Sequence, residues 1–563
     1  MSSSSPSPLS PVLSSSNVGD KDTKMKEKKE KKRRRPSPPD HISLTFLGTA
    51  AGKPCQTRNV SSLVVKMDSR LWMFDAGEGT QHQLVDPRCK LQMGKIQKIF
   101  VTHMHADHIN GLPGLLCTIS AGEGSAMPGT EDPRLAEAAS LPPTQIYGPS
   151  GLRLFLRTSL SLSHSVLSRP YTVHELLWPD EAACPQGSLG MHESERRGRD
   201  VRMGREGDWR EVVGEEEGEG DGVKLVASPV EHTIRCIAYL LLESPRSLPL
   251  VPSLYLPALK SPLNVSSLAQ QGVKNPLTLL ARLQTDQEPI ELADGTVLRP
   301  PGLDPRGGKR ICIVGDTYDA SGMLPLIHSS SFSTATELPE YAAKGLFPPP
   351  PSSSPVTDNP NARTWATNET DYLDLLIHES TNAFLPQFDS SQAPPPPPSS
   401  SSSSSSKPKP TPTLASITSL ARSHGHSTPQ VAGSFARLAR ARRVVLNHLS
   451  NKYPDPESSR LERLPEEESK EGRGEREKRE RWRGMLKAIE GQAEEALLKG
   501  VEGGGEKEGE DKEEGEWRVK TARDFMEIVV ERRDKIAGRG GGGGGANEGK
   551  GKEEKEKKGG KKQ

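Results

Sequence analysis

"VTHMHADHINGLPGLL", residues 101–116, places His103, His105, Asp107 and His108 within six positions of one another. In an extended segment, side chains two apart point to the same side, so His103 and His105 share a face. Asp107 and His108 follow where the chain turns into "INGLPGLL". There Leu112, Leu115 and Leu116 have helical spacing and Pro113 falls in the first turn. An H-x-H-x-D-H segment of this kind can supply ligands to two cations a few ångströms apart. Imidazole and carboxylate are the donors of catalytic Zn²⁺ sites, which keep open positions for water. Four ligands do not complete two such ions, so about three more are expected elsewhere, each at a strand end.

The chain offers them. "VKLVASPVEHTIRCIAYLLLE" is an apolar run, then His232, then a second apolar run. "GKRICIVGDTYD" is an apolar strand ending in Gly315-Asp316-Thr317, with Asp316 placed to bridge two metals. "RRVVLNHLSNKY" ends its run in His448. His103, His105, His232 and Asp316 are expected around one ion, and Asp107, His108, Asp316 and His448 around the other. A further strand end, "YLDLLIHEST", carries His378 and Glu379. "HGHSTPQVAGSFARLAR" opens a helix that Ser427 or Thr428 can cap, with Val431, Phe435 and Leu438 as its apolar face. His426 precedes that helix. Oriented by a carboxylate such as Glu379, it suits a general acid.

This set resembles the metallo-β-lactamase superfamily and, within it, the tRNA 3′-processing endoribonucleases (tRNase Z, ribonuclease Z). The stretches that carry the resemblance occur in the family's order: "FLGTAAGKP...TRNVSSLVV", "FDAGEGTQHQL", "THMHADHINGLPGLL", "GPSGL", "VEHTIRCIAYLL", "VGDT", "LLIHEST", "HST" and "LNHLSNKY". H-x-H-x-D-H alone identifies only the superfamily; "GEGTQH", "GLPGLL" and "HST" point to the nuclease branch, and a lone core copy resembles the short form. The resemblance implies an α/β fold, an αβ/βα sandwich of two mixed sheets flanked by helices. It implies cleavage of precursor tRNA after the discriminator nucleotide, with two Zn²⁺ as cofactor (Mn²⁺ or Fe²⁺ being alternatives). Asp107 would orient or deprotonate the attacking water, and His426, supported by Glu379, would protonate the departing 3′ oxygen. Arg58 and Asn59 would face the acceptor end, with Ser427 and Thr428 beside the site. The resemblance also implies a candidate tRNA-binding arm at about 243–308, where Lys274 and Arg282 would supply the charge and Asn275-Pro276 stands in place of the family's Gly-Pro tip. Family members tend to be homodimers.

Composition bounds the rest. Of 563 residues, 4% are aromatic and 32% hydrophobic, which is one globular domain diluted by low-complexity chain. Residues 1–40 are expected to be a disordered Ser/Pro-rich and basic tail. The nuclease domain is expected over 41–453, interrupted near 121–143, 183–222, 328–366 and 389–413. A charged helix or coil follows over 454–516, then a last packed element at 517–533 and a Gly/Lys-rich tail at 534–563. The cysteines are scattered without a C-x-x-C pair, as in a reduced intracellular protein. No stretch approaches the ~18 apolar residues of a membrane span, and no apolar leader opens the chain. The basic run Lys28–Arg35 reads as a nuclear address or an RNA-binding arm, so nucleus or cytoplasm is expected, with the mitochondrion as an alternative. Two other readings compete: a phosphodiesterase or other hydrolase of the same superfamily on another substrate, and a non-catalytic RNA-binding or scaffold protein. The filled ligand positions oppose the last.

Overall fold

The computed structural model describes residues 38–122, 140–184, 190–213, 222–286, 288–301, 307–329, 373–388, 412–458, 460–461, 470–499 and 517–530. The basic run at 28–35, both terminal tails and most of the Ser/Pro-rich interruptions lie outside these residues.

Two mixed sheets face each other. The first contains β1 (Ile42–Gly48), β2 (Ser62–Met67), β3 (Arg70–Phe74), β4 (Ile96–Phe100), β5 (Thr144–Pro149), β6 (Tyr171–Leu177), β7 (Glu195–Arg196) and β8 (Asp200–Arg202). The second contains β9 (Trp209–Val213), β10 (Val223–Val230), β11 (Cys236–Glu243), β14 (Arg310–Ile313), β15 (Leu375–Glu379), β16 (Val444–Asn447) and β17 (Val519–Thr521). A small hairpin, β12 (Ile290–Glu291) with β13 (Val297–Leu298), separates β11 from β14 in sequence, and β18 (Glu527–Val529) returns to the first sheet. The orders are β18-β1-β2-β3-β4-β5-β6-β7, with β8 beside β6, and β17-β16-β15-β14-β11-β10-β9.

The period of two explains why β10, β11 and β14 lack polar alternation. Leu225, Ala227, Ile237, Tyr239, Leu241, Ile311 and Ile313 point between the sheets, beside Leu44, Phe46, Trp72 and Phe100 of the first sheet. Their neighbours Val226, Val230, Ala238, Leu240 and Cys312 point the other way, to a core shared with helix Pro429–Leu438. Helices Leu112–Gly122 and Leu152–Leu162 cover the outer face of the first sheet through Leu112, Leu115, Leu152 and Leu156. Strands covered on both faces have no face left for water. The layers are therefore helix, sheet, sheet, helix, as the resemblance implies.

One segment differs from expectation, and a second contains the helix that was expected there as helix or coil. Part of 183–222, expected to be an unpatterned insertion, forms β7, β8 and β9. Trp209, Val212 and Val213 are buried while Arg210 and Glu211 are exposed, so interleaved charges hid a strand. The charged segment 454–516 contains one long helix, Lys470–Leu498. Leu486, Ile489, Ala493 and Leu497 form its buried stripe. It packs closely on Pro429–Leu438: a Cβ at Gly433 would lie 2.1 Å from the carbonyl oxygen of Ala493.

Between β11 and β14 the chain builds an arm from helices Pro252–Leu259, Pro262–Gln270 and Thr278–Asp286 and the β12–β13 hairpin. It has its own small core of Leu259, Leu268, Leu279, Leu283, Leu292 and Leu298. No helix among the described residues is long and apolar enough to cross a membrane.

Candidate metal centre

The histidines and carboxylates singled out in the sequence sit where strands end. Beyond β4, the chain runs straight to His103, held by Val101 N–H donating to Tyr147 O at 2.7 Å and Ile237 N–H donating to Thr102 O at 2.9 Å. The hydroxyl of Tyr239 donates to Val101 O at 2.7 Å, so both sheets fix this segment. His105 precedes the short helix Ala106–Ile109, which presents Asp107 and His108. Asp316 follows β14, Glu379 closes β15, and His448 follows β16 with a left-handed φ of 53°. Gly315 permits the approach: a Cβ there would lie 2.7 Å from Thr102 Cβ and 2.8 Å from Cys236 Sγ.

The structure brings all seven candidate ligands together, in two groups. In one, His103 Nε2 lies 3.0 Å from His105 Nδ1, which lies 3.1 Å from His232 Nε2. In the other, His448 Nε2 lies 3.1 Å from Asp107 Oδ2, 3.3 Å from Asp316 Oδ2 and 3.4 Å from His108 Nε2. Asp316 Oδ2 is also 3.7 Å from His103 Nε2, which puts it between the groups.

The opposite ring nitrogens decide what these contacts are. His232 Nδ1 lies 2.7 Å from the carbonyl oxygen of Gly425, an acceptor only, so it carries the proton. His108 Nδ1 lies 2.7 Å from Asp75 Oδ2 for the same result. Thr102 gives its hydroxyl proton to Asp75 Oδ2 at 2.9 Å, and so accepts from His103 Nδ1 at 3.0 Å. The Nε2 lone pairs of His103, His108 and His232 therefore all point inward. Ligands about one tetrahedral ion with nitrogen bonds of ~2.0–2.1 Å sit about 3.3 Å apart, close to the spacing seen here. The donor set fits metal ions.

Charge agrees. Burial is the first cause holding His103, His105 and His232 below the usual imidazole range; His108 adds to it at His103 and His232 at His105. Neutral imidazoles are what metals bind. His108 is the exception: burial opposes its charge, but Asp316 and Asp75 outweigh it and hold that group well above its ordinary value, so a proton and a metal ion compete for its Nε2. Burial works against ionisation of Asp107 and Asp316 as well, and the adjacent imidazoles of His448 and His108 overcome it. Three carboxylates of Asp75, Asp107 and Asp316 around His108 make a concentration of negative charge that a divalent cation neutralises.

Beside this cluster, Glu379 is buried and its carboxylate is fully engaged. Oε1 accepts Thr317 N–H at 2.8 Å and His426 Nδ1 at 3.1 Å. Oε2 accepts Thr381 N–H at 3.2 Å and its hydroxyl at 2.7 Å. Burial disfavours the His426 charge, but Glu379 more than compensates and lifts the imidazole to about 9. A protonated, partly exposed histidine clamped by a carboxylate is the arrangement of a proton donor.

Similar proteins place this geometry. Zinc phosphodiesterase ELAC protein 1 of Mus musculus is 31% identical over 422 residues, 73% of this chain and 87% of that protein. The chain belongs to the tRNase Z (ribonuclease Z) family. Ribonuclease BN of Cronobacter sakazakii is 30% identical over 425 residues, covering 75% of this chain and 93% of its own. The crystal structure of human tRNase Z, short form (ELAC1), aligns over 87% of this chain and 100% of that one, with 23% identity and a TM-score of 0.41. A family model described as Anti-Pycsar protein Apyc1 matches residues 42–124.

Several RNA contacts expected of a tRNase Z need correction. Arg58 is fully buried: it donates to Tyr453 O at 3.1 Å, Thr49 Oγ1 at 2.8 Å and Ala522 O at 2.6 Å. It ties the N-terminal loop to the C-terminal strands and is out of reach of RNA. Asn59 is buried and donates to Glu78 O at 3.0 Å. Ser427, buried, donates to Thr317 O at 2.5 Å, and Thr428, also buried, starts its helix without a side-chain cap. Lys274 and Arg282 are exposed on the arm. Asp75 was not among the sequence candidates; the signal it offered was a lone carboxylate at a strand end in "FDAGEG". Gly425 and Thr102 left no such signal.

Proposed function

We propose that this protein is a zinc-dependent endoribonuclease that removes 3′ trailers from precursor tRNA and leaves a 3′-OH on the tRNA. The convergence of strand-end histidines and aspartates on two adjacent sites carries the reading, in a chain related to zinc phosphodiesterase ELAC protein 1. We assign His103, His105 and His232 to one zinc ion, Asp107, His108 and His448 to a second, and Asp316 to both. Bound zinc lowers the pKa of water towards neutrality and offsets phosphodiester charge.

The chain's own groups do the rest. Asp107 Oδ2 is oriented by Gly52 N–H at 2.8 Å, which leaves Oδ1 to accept a proton from the attacking water. His426, its Nδ1 held by Glu379, donates from Nε2 to the departing O3′. Water adds to phosphorus, the P–O3′ bond breaks, the tRNA gains its 3′-OH and the trailer keeps the phosphate. With its exposed Lys274 and Arg282 the arm holds the tRNA body through phosphates, which reads shape rather than sequence. We assign a homodimer in which one copy's arm serves the other's site, and a nuclear or cytoplasmic location.

Zinc-loaded protein given a precursor tRNA with a 3′ trailer should release trailer with a 5′-phosphate, and a chelator should abolish this. Hydrolysis of a chromogenic phosphodiester with the precursor left intact would refute the tRNA assignment.

A further inference from the structure

His448 is the one candidate ligand of its group whose outer nitrogen meets neither a carboxylate nor a carbonyl. Its Nδ1 lies 3.1 Å from the hydroxyl of Thr381. That hydroxyl has one proton and two acceptors in reach: Glu379 Oε2 at 2.7 Å and the carbonyl oxygen of His448 at 2.9 Å. The carboxylate oxygen is the closer of the two, so it takes the proton. An Nε2 that faces a cation must keep its lone pair free, so the His448 proton sits on Nδ1 and is donated to Thr381 Oγ1. The chain of donors is then continuous: His448 Nδ1–H to Thr381 Oγ1–H to Glu379 Oε2, with Glu379 Oε1 accepting from His426 Nδ1.

We propose that Thr381 is a positioning residue for both halves of the reaction: its hydroxyl fixes the metal-binding tautomer of His448 and, through Glu379, the orientation of His426. This rests on the site reading given above. Thr381 is buried, so its hydroxyl has no water to replace either partner. Its backbone N–H, which also reaches Glu379 Oε2, would survive a side-chain substitution. The hydroxyl is therefore separable from the local turn. Outer partners of metal-bound histidines are worth ~10–100-fold in metal affinity or activity.

The test compares Thr381→Val, Thr381→Ser and the unaltered protein. Zinc affinity is measured by competition with a chromogenic chelator, and kcat and KM on a precursor tRNA with saturating zinc. Thr381→Val should lower zinc affinity and kcat each by ~10–100-fold with KM within about threefold. Thr381→Ser should restore both. Should Thr381→Val lack a cooperative melting transition, Thr381→Cys, similar in size and a weak acceptor, replaces it with the same outcomes. Unchanged affinity and kcat, loss of only one of the two, or a serine variant as impaired as valine would each overturn the proposal. If the unaltered protein cut no precursor tRNA, the site reading would fail instead, and the zinc comparison would still decide whether Thr381 holds His448.

Discussion

Asp75 and the carbonyl of Gly425 are chemically unlike, yet each occupies the ring nitrogen that must face away from a cation. Asp75→Ala should weaken zinc binding by ~10–100-fold, read by chelator competition, because His108 loses its partner; undiminished affinity would show that the ring is held by packing alone. His426→Ala should lower kcat by ~10²–10⁴ in single-turnover cleavage and leave bound zinc unchanged. Loss of zinc in that variant would make His426 a ligand rather than a proton donor. The candidate ligands were legible because His and Asp at strand ends are few and ordered. Their outer partners were not, since a glycine carbonyl or a threonine hydroxyl leaves no mark in a sequence. Arg58 misled in the opposite direction. The resemblance implied that it faces the acceptor end, but its Nε and Nη1 donate to backbone carbonyls and Thr49 inside the fold.

At the scale of elements, the segment Val519–Val529 closes the sandwich. β17 pairs with β16 in one sheet and β18 with β1 in the other. Asp524 sits at the crossing, its side chain 5% exposed, and accepts Asn59 N–H at 2.6 Å and the Thr49 hydroxyl at 2.8 Å. Burial raises this carboxyl to about 6. Below about pH 4 it is protonated in folded and unfolded chains alike. Between about pH 4 and 6 only the unfolded chain ionises, so rising pH costs on the order of 1.4 kcal/mol of stability per unit. Above that the difference is constant. Asp524→Asn should flatten this part of the pH–stability curve in urea unfolding, and an unchanged slope would contradict it. Arg58→Met should cost ~3–5 kcal/mol, because Asp455 and Asp524 lose their buried cation. β1 was legible from the alternation of Ile42, Leu44 and Phe46, and β2 and β3 from the apolar runs in "SSLVVKM" and "RLWMFDAGEG". β9 was not: Arg210 and Glu211 break the pattern while Trp209 and Val213 hold the core.

For the whole molecule, strands ending in ligand-bearing turns pointed to an α/β fold, and the αβ/βα layering itself came from the family resemblance. The tRNA duty proposed for the arm is not written as plainly, since Lys274 and Arg282 are few charges over a leucine core. The double variant Lys274→Ala/Arg282→Ala should raise KM for precursor tRNA and shallow its salt dependence, by about one unit of log–log slope per lost phosphate contact. Hydrolysis of a chromogenic phosphodiester should not change. Everything depends on distant strand ends meeting to hold metal. The most direct measurement is elemental analysis of folded, zinc-equilibrated protein after removal of loose metal. A pair of zinc ions per chain, lost in Asp316→Ala, is the expected result. Protein that is folded yet retains no transition metal would contradict it.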